Sequence, residues 1–231
     1  MALVEAGWEI HVATTTAGDL GTMDKDPWEI SAVRTAEGRE AAAKMGGTYH
    51  CLGENDLFVV FGKSTLRKTL ELFRRLAPTL VFTHAPSDYM PDHEEVSRLA
   101  RTGTFGYGAP NVSDRPVVPG SQVPWLYYCD PIEARDALGR PVAPTTVLDI
   151  TDQIEKKADV LAAHASQRQW LRAYHGMDEY LESMRRHGAE RGELIGADAA
   201  EAFVQHRGHA YPREDLLAEI LGATPLPAEA G

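Results

Sequence analysis

Between Thr83 and Ala100 the chain reads THAPSDYMPDHEEVSRLA. His84 and His93 stand there among Asp88, Asp92, Glu94 and Glu95, after an apolar run and before a helical pattern. A neutral imidazole nitrogen is a good ligand for a divalent metal, and a nearby carboxylate can orient the ring from behind. His93, at the carboxyl end of a strand, is therefore the candidate metal ligand, with Asp92 or a neighbouring carboxylate as its orienting partner. His84 could face the same cleft or be bonded to backbone. A catalytic zinc wants about three protein ligands and an open position for water, so His93 alone does not make a site. The plainer reading of PDHEE is an acidic helix start, with Pro91 in the first turn and Asp92, Glu94 and Glu95 complementing the helix dipole.

Other stretches carry weaker signals. TAGDLGT, residues 16–22, offers backbone N–H groups and Asp19, but lacks the glycine spacing or Lys-Ser/Thr of a phosphate loop. A plain strand-to-helix loop explains it as well. Arg34 and Glu37 lie one helical turn apart, either as a solvated pair or with Arg34 gripping hydroxyls or a carboxylate in a cleft. HASQRQW places His164, Ser166 and Gln167 on a helix beside aromatics, where they could equally satisfy polar needs of a core. His206 and His209, three apart in HRGHAYP, are weak evidence for a metal.

The elements that must hold these residues alternate. EIHVATTT (9–16) reads as a strand, and residues 30–45 as a helix stopped by Gly46-Gly47. TYHCLG (48–53) is a short strand, and STLRKTLELFRRLAP a helix with Leu66, Leu70 and Phe73 on one face and Ser64 as its cap. TLVFTH is a strand and PDHEEVSRLARTGTF a helix. Residues 107–125, rich in Pro, Gly and Ser, read as a long surface loop of the kind that is often functional. VPWLYYC and TTVLDI resume strand character. Residues 151–174 read as one long helix opened by an Asp152-x-x-Glu155 capping box. The last 45 or so residues read as helices and loops, with ATPLPAEAG a frayed tail. MALVEAGWEI reads as the last turns of a helix feeding a strand. The alternation predicts an α/β, Rossmann-like three-layer fold around a mostly parallel sheet.

Bulk properties narrow the function. The chain has 231 residues, which suits one α/β domain. With 23 basic against 34 acidic residues its net charge is -11, which disfavours nucleic acid and other polyphosphates as partners. No apolar run is long enough to span a membrane, and the N-terminus has neither the basic leader nor the cleavage site of a signal peptide. The expected location is the cytoplasm. Cys51 and Cys129, far apart, are expected as buried reduced thiols.

Taken together, IHVATTTAGDLGT, VRTAEGREAAAKMGG, LVFTHAPSDYMPDHEEVSRLA and HASQRQWL resemble the LmbE-like, or PIG-L, family of metal-dependent deacetylases of N-acetylglucosamine-type substrates. HGMDEYL, AEAFVQHRGHAYP and a closing LL resemble one branch of it, in which Tyr-Met also precedes the Asp-His pair. The resemblance covers nearly the whole chain as a single deacetylase domain, and implies a zinc or other divalent cofactor. It implies His93 as a metal ligand, Asp92 beside it in the catalytic centre, and Arg34, Glu37, Ser166 and Gln167 as substrate-side residues. The implied partner is a small N-acetylated amino-sugar conjugate, and a homo-oligomer is compatible with the resemblance.

Two departures accompany it. Where many relatives carry a histidine three places before the zinc ligand, this chain has Met90, which cannot stabilise a tetrahedral intermediate. The family's His-Pro-Asp-Asp motif, with two ligands and the general base, is not present, so the first, central strand is expected to be missing from an N-terminally truncated chain. Its loss would part neighbours normally about 4.8 Å away and leave two rows of unpaired backbone groups. On that expectation the chain binds zinc weakly and deacetylates little. The competing readings are a non-catalytic relative that binds sugars or a partner, and a metal hydrolase that recruits His84, Asp88 or His209 as replacement ligands.

Overall fold

A computed structural model describes residues 1–175 and 180–227. Its seven strands are β1 (Ile10–Thr16), β2 (Gly47–Glu54), β3 (Leu80–Thr83), β4 (Trp125–Cys129), β5 (Thr146–Asp149), β6 (Ala200–Gln205) and β7 (Thr224–Pro225). The α-helices are α1 (Ala2–Glu5), α2 (Pro27–Lys44), α3 (Lys63–Leu76), α4 (Pro91–Gly106), α5 (Ile154–Ala162), α6 (Ala165–His175), α7 (Tyr180–Gly192) and α8 (Leu216–Leu221). Part of HGMDEYL and the end of ATPLPAEAG lie outside the described residues. Among the described residues no helix is long and apolar enough to cross a membrane.

The α/β class holds, but the pairing is mixed rather than mostly parallel. β1 and β2 form a two-stranded parallel sheet, and the other strands form a second sheet in the order β3-β4-β6-β5-β7. Within it β3 and β4 are parallel, whereas β4–β6 and β5–β7 are antiparallel. β6 contributes to the mixture: AEAFVQ (200–205), expected to be helix or loop, is a strand that enters between β4 and β5. Among the described residues β1 has β2 as its one neighbour, and β3 is an edge strand of its own sheet.

The chain divides into two compact units, Met1–Asp56 with Leu148–Glu201, and Leu57–Val147 with Ala202–Gly231. In the first, α2 begins at a complete capping box: Asp26 accepts from Trp28 N and Glu29 N, Glu29 returns a bond to the Asp26 backbone, and Pro27 presets the first turn. The expected long helix over 151–174 is broken here into a 3₁₀ turn (Thr151–Gln153), α5 and α6. The expected capping box does not form; α5 starts at Gln153 without a side-chain cap. The break is stabilised by a substitute cap at α6 from Glu37, described below.

In the second unit, α3 starts at Gly62 with no side-chain cap, so Ser64 does not serve as one. α3 and α4 pack closely because Gly103 has no side chain: a Cβ there would lie 2.9 Å from Phe73 Cε2. Arg74 of α3 is 1% exposed and organises the predicted long loop. Its guanidinium donates to the carbonyls of Tyr107, Ala109 and Arg115, while Ser113 donates to Glu71. Those carbonyls would otherwise be unsatisfied where water is scarce. Leu126, Tyr128 and Tyr211 form a buried core with Val81, Val123 and Val204 against it. The thiols depart from expectation: neither is in a disulfide, but Cys51 is exposed and Cys129 only partly buried.

Candidate metal centre

β3 delivers the chain to His84, and α4 begins at Pro91 with His93 in its first turn. The six residues 85–90 between them fold back through an Asx-type turn: Asp88 Oδ1 accepts from Met90 N at 3.1 Å, while Asp88 N donates to Glu94 Oε1 at 3.0 Å. This fold-back brings His84 and His93 together as parallel rings, with centroids 3.9 Å apart and planes 4° apart. Asp88, its side chain 2% exposed, faces His93 with Oδ1 2.9 Å from Nδ1. One donor atom from each of His84, Asp88 and His93 lies within 4.8 Å of the others. Among the described residues this is the one such group of three or more.

The electrostatics suit a cation. Burial, reinforced by the adjacent His93 ring, pushes the His84 imidazole down to about 4, so it is neutral with a lone pair available at neutral pH. Two stacked imidazoles could not both be charged without strong repulsion. A carboxylate bonded to Nδ1 of His93 leaves Nε2 as the free donor on that ring. Two histidines and a buried aspartate are the donor types zinc prefers, so the residues fit a divalent metal.

Asp92 is turned elsewhere. Its carboxylate is buried and accepts from Leu57 N at 2.7 Å, and Glu95 does the same for Phe61 N at 2.8 Å. The carboxylate that meets His93 is Asp88. Sequence reading named Asp88 only among replacement ligands, because a residue five before His93 looks remote until the turn closes. His209 does not join the group. His206 is held with its Nδ1 3.1 Å from Tyr128 Oη and its ring 4.3 Å from that of Tyr211.

In the first unit, Arg34, Glu37 and Ser166 do come together. Arg34 donates to the carbonyls of Gly18 at 2.7 Å and Gly21 at 2.5 Å. The loop around it cannot accept a side chain at Gly18, where φ is +78° and a Cβ would meet Arg34 Cδ at 2.5 Å. Asp19 of the same loop accepts from Asn55 Nδ2 and Asp56 N. Burial works to raise its carboxyl, but those donors outweigh burial and hold it below the usual range. The loop's carbonyls thus face an arginine, which is not the arrangement of a phosphate cradle. Glu37 accepts from Ser166 N at 2.8 Å and Ser166 Oγ at 2.7 Å, capping α6 from outside. Gln167 is partly buried on α6.

Residues 1–103 match the family model of PIG-L, described as GlcNAc-PI de-N-acetylase. These 103 residues are PIG-L/LmbE-like. Over 220 residues it is 24% identical to a 4-oxalmesaconate hydratase of Pseudomonas putida, a match covering 90% of this chain and 81% of that protein. The crystal structure of a 4-carboxy-2-hydroxymuconate hydratase from Pseudomonas putida is similar with a TM-score of 0.71 at 22% identity, over 93% of this chain and 91% of that one. That of an N,N'-diacetylchitobiose deacetylase from Pyrococcus horikoshii gives 0.72 at 24% identity, over 93% and 80%. At these identities the structural likeness establishes the PIG-L-like fold, and the matched relatives are enzymes of two kinds.

Proposed function

We propose that this protein is a metal-dependent amidase that removes an acetyl group from an N-acetylglucosamine-type or related N-acyl substrate in the cytoplasm. The observation that carries the reading is the His84–Asp88–His93 cluster at the end of β3, in a chain whose first 103 residues match a de-N-acetylase family. His84 and His93 would hold zinc or another divalent ion, which when bound lowers the pKa of its water and polarises a carbonyl. Asp88 orients His93 through Nδ1. Water adds to the acyl carbon and its proton passes to the amine as the C–N bond breaks, giving acetate and free amine. Asp92, expected beside His93 in the catalytic centre, supports it by fixing the backbone at Leu57. Arg34 fixes the 18–21 loop, and Glu37 with Ser166 fixes the start of α6.

A second reading, hydration of an unsaturated carboxylate, is favoured by the hydratase relative that matches 90% of the chain. Charge argues against it. Residues 84–95 contain Asp88, Asp92, Glu94 and Glu95 and no Lys or Arg, so a polyanion there would meet like charge. Incubating the zinc-loaded chain with N-acetylglucosamine and, separately, with 4-carboxy-2-hydroxymuconate separates the two. Release of acetate, absent in the His84→Ala protein, is the expected result. Loss of the diene absorbance without acetate release would establish hydration instead.

A further inference from the structure

α4 starts without a cap of its own, and what replaces the cap is tied to the metal centre. Met90 occupies the N-cap position and its side chain makes no capping bond. The first N–H groups of a helix lack partners within it, so an acceptor side chain ordinarily serves them. Here the acceptors lie on either side of Met90. Asp88 Oδ1 accepts from Met90 N at 3.1 Å, and Glu94, in the first turn of α4, reaches back to accept from Asp88 N at 3.0 Å. The pattern is a capping box stretched over the turn, with Asp88 held by the helix it helps to start. Asp88 Oδ1 also meets His93 Nδ1 at 2.9 Å. Asp92 and Glu95 of the same acidic segment serve elsewhere, at Leu57 N and Phe61 N.

His93 and Glu94 are consecutive on one helix, so the imidazole and the carboxylate that grips Asp88 N are placed together. Glu94 fixes the main chain of Asp88, and Met90 N fixes its carboxylate within reach of the ring. With Asp88 so held, the His93 proton sits on Nδ1 and Nε2 keeps its lone pair. We propose that Glu94 is a positioning residue of the metal centre: acting through Asp88, it sets the tautomer and direction of the His93 ring. Reach is what the role requires. A side chain shorter by one carbon withdraws the acceptor by about 1.5 Å, enough to turn a 3.0 Å bond into none. A glutamate serving only the helix dipole would be replaceable by aspartate, since either puts negative charge in the first turn. The inference rests on the metal-site reading for the cation, and on the hydrogen bonds alone for the ring.

Two substitutions in the chain of residues 1–231 separate reach from charge. Glu94→Asp keeps the charge and loses the reach, and Glu94→Gln does the reverse. In metal-free protein at about pH 8, where an imidazole is neutral, long-range proton–nitrogen NMR should show His93 as the Nδ1–H form in the parent and in Glu94→Gln. Glu94→Asp should show a mixture of tautomers, and Glu94→Ala the same. Zinc affinity by isothermal titration should fall about tenfold in Glu94→Asp and stay within about threefold of the parent in Glu94→Gln. A role at the helix start alone would lower the urea midpoint of Glu94→Ala and leave the tautomer as it was. A tautomer unchanged in Glu94→Asp, or in Glu94→Ala should the aspartate variant not fold, would therefore overturn the proposal. So would Glu94→Gln weakening zinc as much as Glu94→Asp does, because charge would then be what acts. A parent that binds no zinc sinks the metal-site reading, and the tautomers still decide the part played by Glu94.

Discussion

Two regions with the same kinds of residue do opposite things. Around His93, imidazoles and a buried carboxylate turn their donor atoms toward one another, leaving nitrogen lone pairs for a cation. Around Arg34, charged groups turn toward backbone: the guanidinium closes the 18–21 loop, and Glu37 finishes the first turn of α6. Both looked functional in the sequence, since both combine charged residues at strand or helix ends. The difference lies in where the partners come from. A side chain whose hydrogen bonds are consumed by main chain is part of the frame, and one that meets other side chains of its own kind is free to bind something else.

The comparison can be broken at either end. The largest effect is expected for His93→Ala, which should lower zinc affinity by at least about a hundredfold in isothermal titration, near 2.7 kcal/mol, with little change in thermal stability. Retained affinity would mean that the cluster is frame as well. Arg34→Ala should do the opposite. Losing two charged bonds to loop carbonyls should cost about 2 kcal/mol of unfolding free energy in urea denaturation, with zinc affinity within about twofold of the parent. Ser166→Ala sharpens the contrast with the smallest change, about 1 kcal/mol, because Glu37 keeps its bond to the Ser166 N–H. A loss of substrate turnover in Ser166→Ala without loss of stability would move that residue from frame to site.

Much of the local structure was legible. The strand–loop–helix at 80–106 and the proline at its first helical position follow from apolar runs and turn chemistry that act over a few residues. The failures have a common cause. AEAFVQ has no strong period, and it is a strand because β4 and β5 leave a place for it. Ser64 and Asp152 have the right types for caps, but the chain enters those helices one or two residues away from where they could serve. The helix over 151–174 is divided at a point where Glu37, 129 positions earlier in sequence than Ser166, supplies the cap. None of these depends on local pattern alone.

By itself, then, the sequence determined which residue types crowd the turn after β3, their acidic balance, and the likeness of residues 1–103 to a de-N-acetylase family, because composition and short-range order are written directly in the chain. Tertiary structure alone decided that Asp88 rather than Asp92 faces His93, and that Asp92 and Glu95 hold the backbone at Leu57 and Phe61. Hydrogen bonds are satisfied in space, by whichever donor the folded backbone brings within about 3 Å, and that donor is rarely the nearest one along the chain.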